Sequence, residues 1–217
     1  MKLFLFTLSA VLFFSCSQKE NHNPTSDNKD TIAVEAITAT EERDTSVPTI
    51  EEHYFDYTNT VLKEDFKQSI QHLFSDTGSK DTFTLSIPKG NINRTETTLK
   101  IVAANGELIL EKKFTTRELI NGYDLREITN DTQMEAYIID KAKNILNNDS
   151  FIDLSEPIDK NSFVFNTEKE DFENFEAYTE CKNDKRSIFV IGLEEENITY
   201  MVYSAKLKKV VDVLYCC

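Results

Sequence analysis

Three features of this 217-residue sequence predict an α+β domain whose antiparallel β-sheet packs against one or two amphipathic helices. They are an Asn105-Gly106 hairpin between apolar alternations, a helical apolar stripe from Met134 to Ile145, and three β-rich runs with short polar turns at the C-terminal end. The sheet then consists of the hairpin plus a C-terminal three-stranded meander.

Taken along the chain, Val61, Leu62, Phe66, Ile70, Leu73 and Phe74 recur at helical spacing until Asp76-Thr77-Gly78-Ser79 stops the pattern, which predicts a first helix. Phe83, Leu85 and Ile87 alternate with Thr84 and Ser86 ahead of Pro88, as in a half-buried strand. Leu99 to Val102 and Leu108 to Leu110 flank Asn105-Gly106, a pair suited to the positive φ angles of a type I′ turn. Thr132 and Glu135 have capping-box spacing, and Met134, Tyr137, Ile138, Ala142 and Ile145 then share one helical face up to Asn147. After a linker containing Pro157, Phe172, Phe175 and Tyr178 lie three apart among acids and predict a short amphipathic helix. Ser187–Leu193, Thr199–Tyr203 and Lys209–Tyr215 form the meander, and the unbroken apolar run Ile188 to Ile191 places its first strand centrally, with both faces covered.

The first 56 residues have a different composition. Lys2 supplies a positive charge, and Leu3 to Phe14 is an apolar run of about a dozen residues, too short to span a bilayer core of about 30 Å. It predicts a signal peptide over residues 1–15. The Asn-, Asp-, Thr- and Glu-rich stretch that follows, residues 16–56, cannot bury enough apolar surface to offset its ordering entropy and reads as a disordered tether with an r.m.s. span of roughly 35 Å. Residues 57–217 then make one domain of ordinary size.

Phe13-Phe14-Ser15-Cys16 resembles the lipobox of bacterial lipoproteins, with Phe13 where Leu is usual. The resemblance implies acylation of the Cys16 thiol, cleavage before it, and a protein held on a membrane by its N-terminal lipid without spanning it. Two or three acyl chains, at about 0.8 kcal/mol per buried CH₂, make such anchoring effectively permanent. The next residues, Gln18, Lys19 and Glu20, resemble the export signal of Bacteroidota surface lipoproteins. This implies the outer membrane and its cell-surface leaflet; Asn21 and His22 stand where further acids are usual, which keeps the periplasmic face as the alternative. Asp30-Thr31-Ile32 resembles the O-glycosylation triplet of the same bacteria, with Thr31 as acceptor.

Composition narrows the chemistry. With 24 Lys+Arg against 38 Asp+Glu, a net charge of −14 excludes nucleic acid as a partner. Five Gly, three His and no Trp leave little for a phosphate-cradling loop, a zinc cluster or an aromatic sugar platform, and no cofactor or metal is expected. His22 and His53 fall in or beside the tether, and His72 reads as a solvated histidine on the first helix. Cys181 pairing with Cys216 or Cys217 would close a loop of about 35 residues and contribute roughly 3 to 4 kcal/mol in the chain-entropy model. No Cys-x-x-Cys or adjacent His supports a redox role for it. Glu194-Glu195-Glu196 reads as a polar turn rather than a calcium loop. Glu170, Asp171, Phe172, Glu173 and Phe175, acids interleaved with aromatics, form the candidate surface for a basic partner.

The hairpin residues Asn105-Gly106-Glu107 to Phe114-Thr115, the second helix leading to Phe151 and Pro157, and the ending Tyr203 to Val211 before Cys216-Cys217 resemble a family of small Bacteroidota lipoproteins and secreted proteins. These motifs are structural and carry no catalytic signature, so the resemblance implies an origin and not an activity. The expected function is that of a membrane-anchored envelope lipoprotein acting as a noncatalytic module that binds a protein or glycan partner, or as an accessory part of an envelope complex. The alternatives are a carboxylate-based envelope hydrolase and an inhibitor or immunity-type protein using the acidic segment.

Overall fold

In the computed structural model, which describes residues 55–157 and 162–216, the stretch with the spacing of a first helix is instead a short strand β1 (Val61–Leu62) and a long strand β2 (Phe66–Leu73). Phe66, Ile70 and Phe74 are four apart, and four is also a multiple of the two-residue strand repeat, so the same spacing lines one face of a strand. Gln68 and His72 occupy the intervening inward positions, whereas Lys67, Ser69, Gln71 and Leu73 face out; Leu73 is 38% exposed, which a helix face shared with Phe74 would not allow. All eight residues of β2 pair with β3 (Lys80–Ile87), and this ladder decides the matter in favour of strand.

The chain divides into a unit of residues 1–49, which lies outside the described residues, and a unit of residues 50–217, to which all that follows belongs. Cys16, Gln18, Lys19, Glu20, Thr31 and Cys217 are likewise outside the described residues.

After β3, a two-residue strand β4 (Gly90–Asn91) returns to pair with β1. Gly90 sits at φ 138°, and a Cβ there would lie 2.9 Å from the Thr95 methyl, so glycine is required on both counts. β5 (Glu96–Val102) and β6 (Leu108–Thr115) form the hairpin, completing an antiparallel sheet of order β2-β3-β5-β6. Its turn departs from type I′. Only Gly106 takes a positive φ (88°), Gly106 N–H donates to Ala103 O, and Ala103 N–H donates to Glu107 O. That is a three-residue loop with a glycine bulge, which needs one left-handed residue and not two.

Two 3-10 segments, Thr116–Leu119 and Gly122–Glu127, lead to α1 (Asp131–Ile145). The helix begins earlier than the Thr132/Glu135 spacing suggests. Asn130 is the N-cap, accepting from Gln133 N–H at 3.0 Å, while the Gln133 side chain accepts from Thr129 N–H at 2.8 Å. Glu135 is thereby free to pair with Lys63 at 2.8 Å, tying α1 to the β1–β2 link.

β7 (Phe151–Asp153), α2 (Phe163–Asn166), α3 (Phe175–Asn183), β8 (Ser187–Leu193), β9 (Asn197–Ser204) and β10 (Lys209–Cys216) complete the domain. The meander is present as expected and gains β7 as a fourth strand, giving the antiparallel order β10-β9-β8-β7. Phe172 precedes α3 and stacks on Tyr178 at 4.6 Å. The second sheet is covered on both faces, and the parity of its residues shows it. Phe189, Ile191 and Leu193 of β8 face the core built with the first sheet and α1, whereas Ile188 and Val190 face the smaller core under α3. In β10 the pairing shifts between Asp212 and Leu214, so Val213 and Leu214 are both buried on the α3 side and Cys216 follows them there.

Candidate functional site

The two sheets meet at their β2 and β7 edges through the His72 ring, which lies flat on Phe151 at 3.8 Å and 7°. Beside this contact opens a polar cleft of about 450 Å³. One wall is the end of β2 with the Asp76-Thr77 turn and Lys80; the opposite wall is Asn148, Asp153 and Ser155 with the Lys185-Arg186-Ser187 link between α3 and β8. A smaller cleft of about 270 Å³ shares Asp76, Thr77 and Arg186 with it.

Each wall is held by local hydrogen bonds. Asp76 accepts from Gly78 N–H (2.6 Å), Ser79 N–H (2.7 Å) and the Ser79 hydroxyl (2.6 Å), the turn that the Asp-Thr-Gly-Ser sequence favours. Those bonds, the Ser79 hydroxyl first, hold its carboxyl below the usual range. Asp153 accepts from Ser155 N–H at 2.8 Å; the Ser155 hydroxyl and amide, and then the His72 charge, lower its pKa too. At the base, Arg186 is only 3% exposed. Its guanidinium donates to Asp184 at 3.0 and 3.2 Å and to Tyr203 O, and lies 3.7 Å from Glu180. This meets the rule that a buried charge be paired and hydrogen-bonded.

These details limit the chemistry. A hydrolase working with two carboxylates needs one of them protonated near neutral pH, which means a raised pKa. Both carboxylates of this cleft are shifted the other way. His72 is on a strand and half-buried, not on a solvated helix face as the sequence suggested. Its Nδ1 lies 2.9 Å from Leu73 O and is therefore the donor there, so the nitrogen that a catalytic triad would orient against a carboxylate is spent on backbone. Among the described residues, no three His, Cys, Asp or Glu side chains converge as a metal-holding group.

Cys181 carries a free thiol, so the expected disulfide with Cys216 is not formed. Its sulfur lies 3.6 Å from Arg186 O and 3.7 Å from Ser187 O, at the start of β8. Cys216 is in register with Ile198, which faces Gly192 near the far end of β8. Five residues of strand, about 16 Å, separate the two levels, whereas a disulfide needs Cα atoms within about 7 Å. Burial pushes the Cys181 thiol up to about 12. Its pKa is thus higher folded than unfolded, so the stabilisation is complete below about pH 9 and is lost as pH rises toward about 12. Urea titrations at pH 8 and pH 10.5 should show the midpoint falling with pH, and falling less in Cys181→Ala. Equal slopes in the two proteins would refute the assignment.

The other expected site is only partly a surface. Glu170, Asp171 and Glu173 are exposed, but Phe172 and Phe175 pack edge-to-face at 5.4 Å against the α3 core. The aromatics are thus structural and only the acids are displayed. Glu195 is less solitary than a solvated turn implies, accepting from Gly122 N–H at 2.7 Å.

Compared with known proteins, the chain matches no family model, no curated protein and no solved structure.

Proposed function

We propose that the protein is a lipid-anchored module of the bacterial envelope that binds a small polar ligand in the cleft between the β2–β3 turn and the α3–β8 link, without transforming it. The observation that carries this reading is the cleft itself. Its walls are held in place by their own hydrogen bonds, and both of its carboxylates are kept ionised and occupied as acceptors. Such a site is preorganised for recognition, and neither carboxyl is held protonated to serve as the acid of a two-carboxylate hydrolase. The anchor rests on Cys16 at the end of the N-terminal apolar run. No helix of the described residues is long and apolar enough to cross a membrane.

Two measurements test the proposal. The native chain should incorporate labelled palmitate and partition into the detergent phase, and Cys16→Ser should lose the label and move to the aqueous phase. An unlabelled, water-soluble native chain would remove the anchor from the proposal. For the ligand, the full chain is incubated with oligosaccharide fragments of envelope polymers. A binder should raise the melting temperature and be recovered chemically unchanged by mass spectrometry. Shortened fragments would instead establish a hydrolase.

A further inference from the structure

We infer that the cleft recognises an oxyanion on its ligand, a carboxylate, sulfate or phosphate held between Lys80 and Lys185; the inference rests on the cleft being the ligand site. Lys80 and Lys185 both line the cleft, and neither has a carboxylate within ion-pair distance among the described residues. The two acids of the same cleft already carry hydrogen bonds from Gly78, Ser79 and Ser155. Beside these two carboxylates the cleft offers a ligand donors: two ammonium groups, the Thr77 hydroxyl and the Asn148 amide.

The backbone at Lys185 fixes where its side chain leaves the chain. Arg186 N–H donates to Cys181 O at 3.0 Å and Lys185 N–H to Lys182 O at 3.2 Å, the paired bonds that end a helix with a left-handed residue. Lys185 is that residue, at φ 56°. Glycine fits this position without a Cβ penalty and is the usual choice there. A lysine here sets an amine at the cleft mouth at a small backbone cost, one the chain also bears at Glu194 (φ 56°) and Lys208 (φ 52°).

That backbone cost makes the test clean, because Lys185→Gly removes the amine while favouring the fold. The full chain is titrated at constant ionic strength with sodium glucuronate, sulfate and phosphate, and with glucose as the neutral probe, following the backbone amide resonances of Thr77, Ser155 and Lys185. At least one anion should shift these amides saturably, and the three arms distinguish an acidic sugar from free sulfate or phosphate. Lys185→Gly and Lys80→Gln should each weaken that binding by about tenfold, with the melting temperature of Lys185→Gly equal to or above that of the native chain. Glucose shifting the amides while no anion does would keep the cleft as a ligand site and overturn the anion. Anion binding unaltered by Lys185→Gly would overturn the role of the lysines. No shift with any probe would count against both the inference and the reading beneath it.

Discussion

Phe83→Ala should cost about 3 to 5 kcal/mol of folding stability, the largest effect expected of a single side chain in this domain. Phe83 is fully buried on β3 and touches three other rings: Phe74 at 5.3 Å, Phe151 at 5.0 Å and Phe189 at 5.1 Å. Phe74 follows β2 in the first sheet, whereas Phe151 and Phe189 belong to β7 and β8 of the second. Truncation thus removes a buried ring that joins the two sheets, and the rings around it are fixed to separate ladders and cannot close the gap. With a typical total stability of about 5 to 15 kcal/mol, such a loss lowers the urea midpoint by a large fraction and, if folding stays two-state, leaves the slope unchanged. Leu108→Ala is the matched comparison. Leu108 is 49% exposed at the start of β6, and its truncation should stay within about 0.5 kcal/mol. If the two variants melted alike, the sheets would not be joined through Phe83.

Much of the second sheet is legible in the sequence. β-branched and aromatic residues with polar turns define β8, β9 and β10, and the unbroken Ile188-Phe189-Val190-Ile191 reveals burial on both faces. The stripe of α1 is equally clear, since Met134, Ile138, Ala142 and Ile145 are all buried. The first sheet is harder to read because spacing alone is ambiguous for β2: Phe66, Ile70 and Phe74 satisfy both the helical and the strand repeat. What separates the two is Gln68 and His72 facing inward, and the reason lies in residues distant in the sequence. Gln68 donates to Leu146 O at 2.9 Å, at the end of α1, and His72 stacks on Phe151. The cleft is hidden for the same reason. It is assembled from β2, the Asp76 turn, the β7 region and the α3–β8 link, each of which reads locally as an ordinary strand end or turn. One local signal was present: a lysine, rather than the usual glycine, follows the last turn of α3.

Asp81→Asn should cost about 1 to 3 kcal/mol although it conserves shape, because the buried carboxylate serves donors only. Asp81 is fully buried on β3. One of its oxygens accepts from Ser75 N–H; the other accepts from the Ser75 hydroxyl at 2.9 Å and from Ala104 N–H at 3.1 Å. An asparagine has one oxygen and one NH₂ at these places, so in either orientation a donor of the side chain faces a donor of the backbone. Ala104 belongs to the β5–β6 turn and Ser75 leads into Asp76 and Thr77, so this one carboxylate fastens the hairpin tip to a wall of the cleft. The variant should therefore lose hydrogen-exchange protection at Ser75 and Ala104 before it loses it in the β3 ladder, and any ligand of the cleft should bind it more weakly. Asp81→Ala, which removes both acceptors and leaves a void, should be worse than Asp81→Asn. If the Asn variant retained native protection at both amides, the cleft wall would have to be held by the Asp76 turn alone, and ligand binding would then be insensitive to position 81.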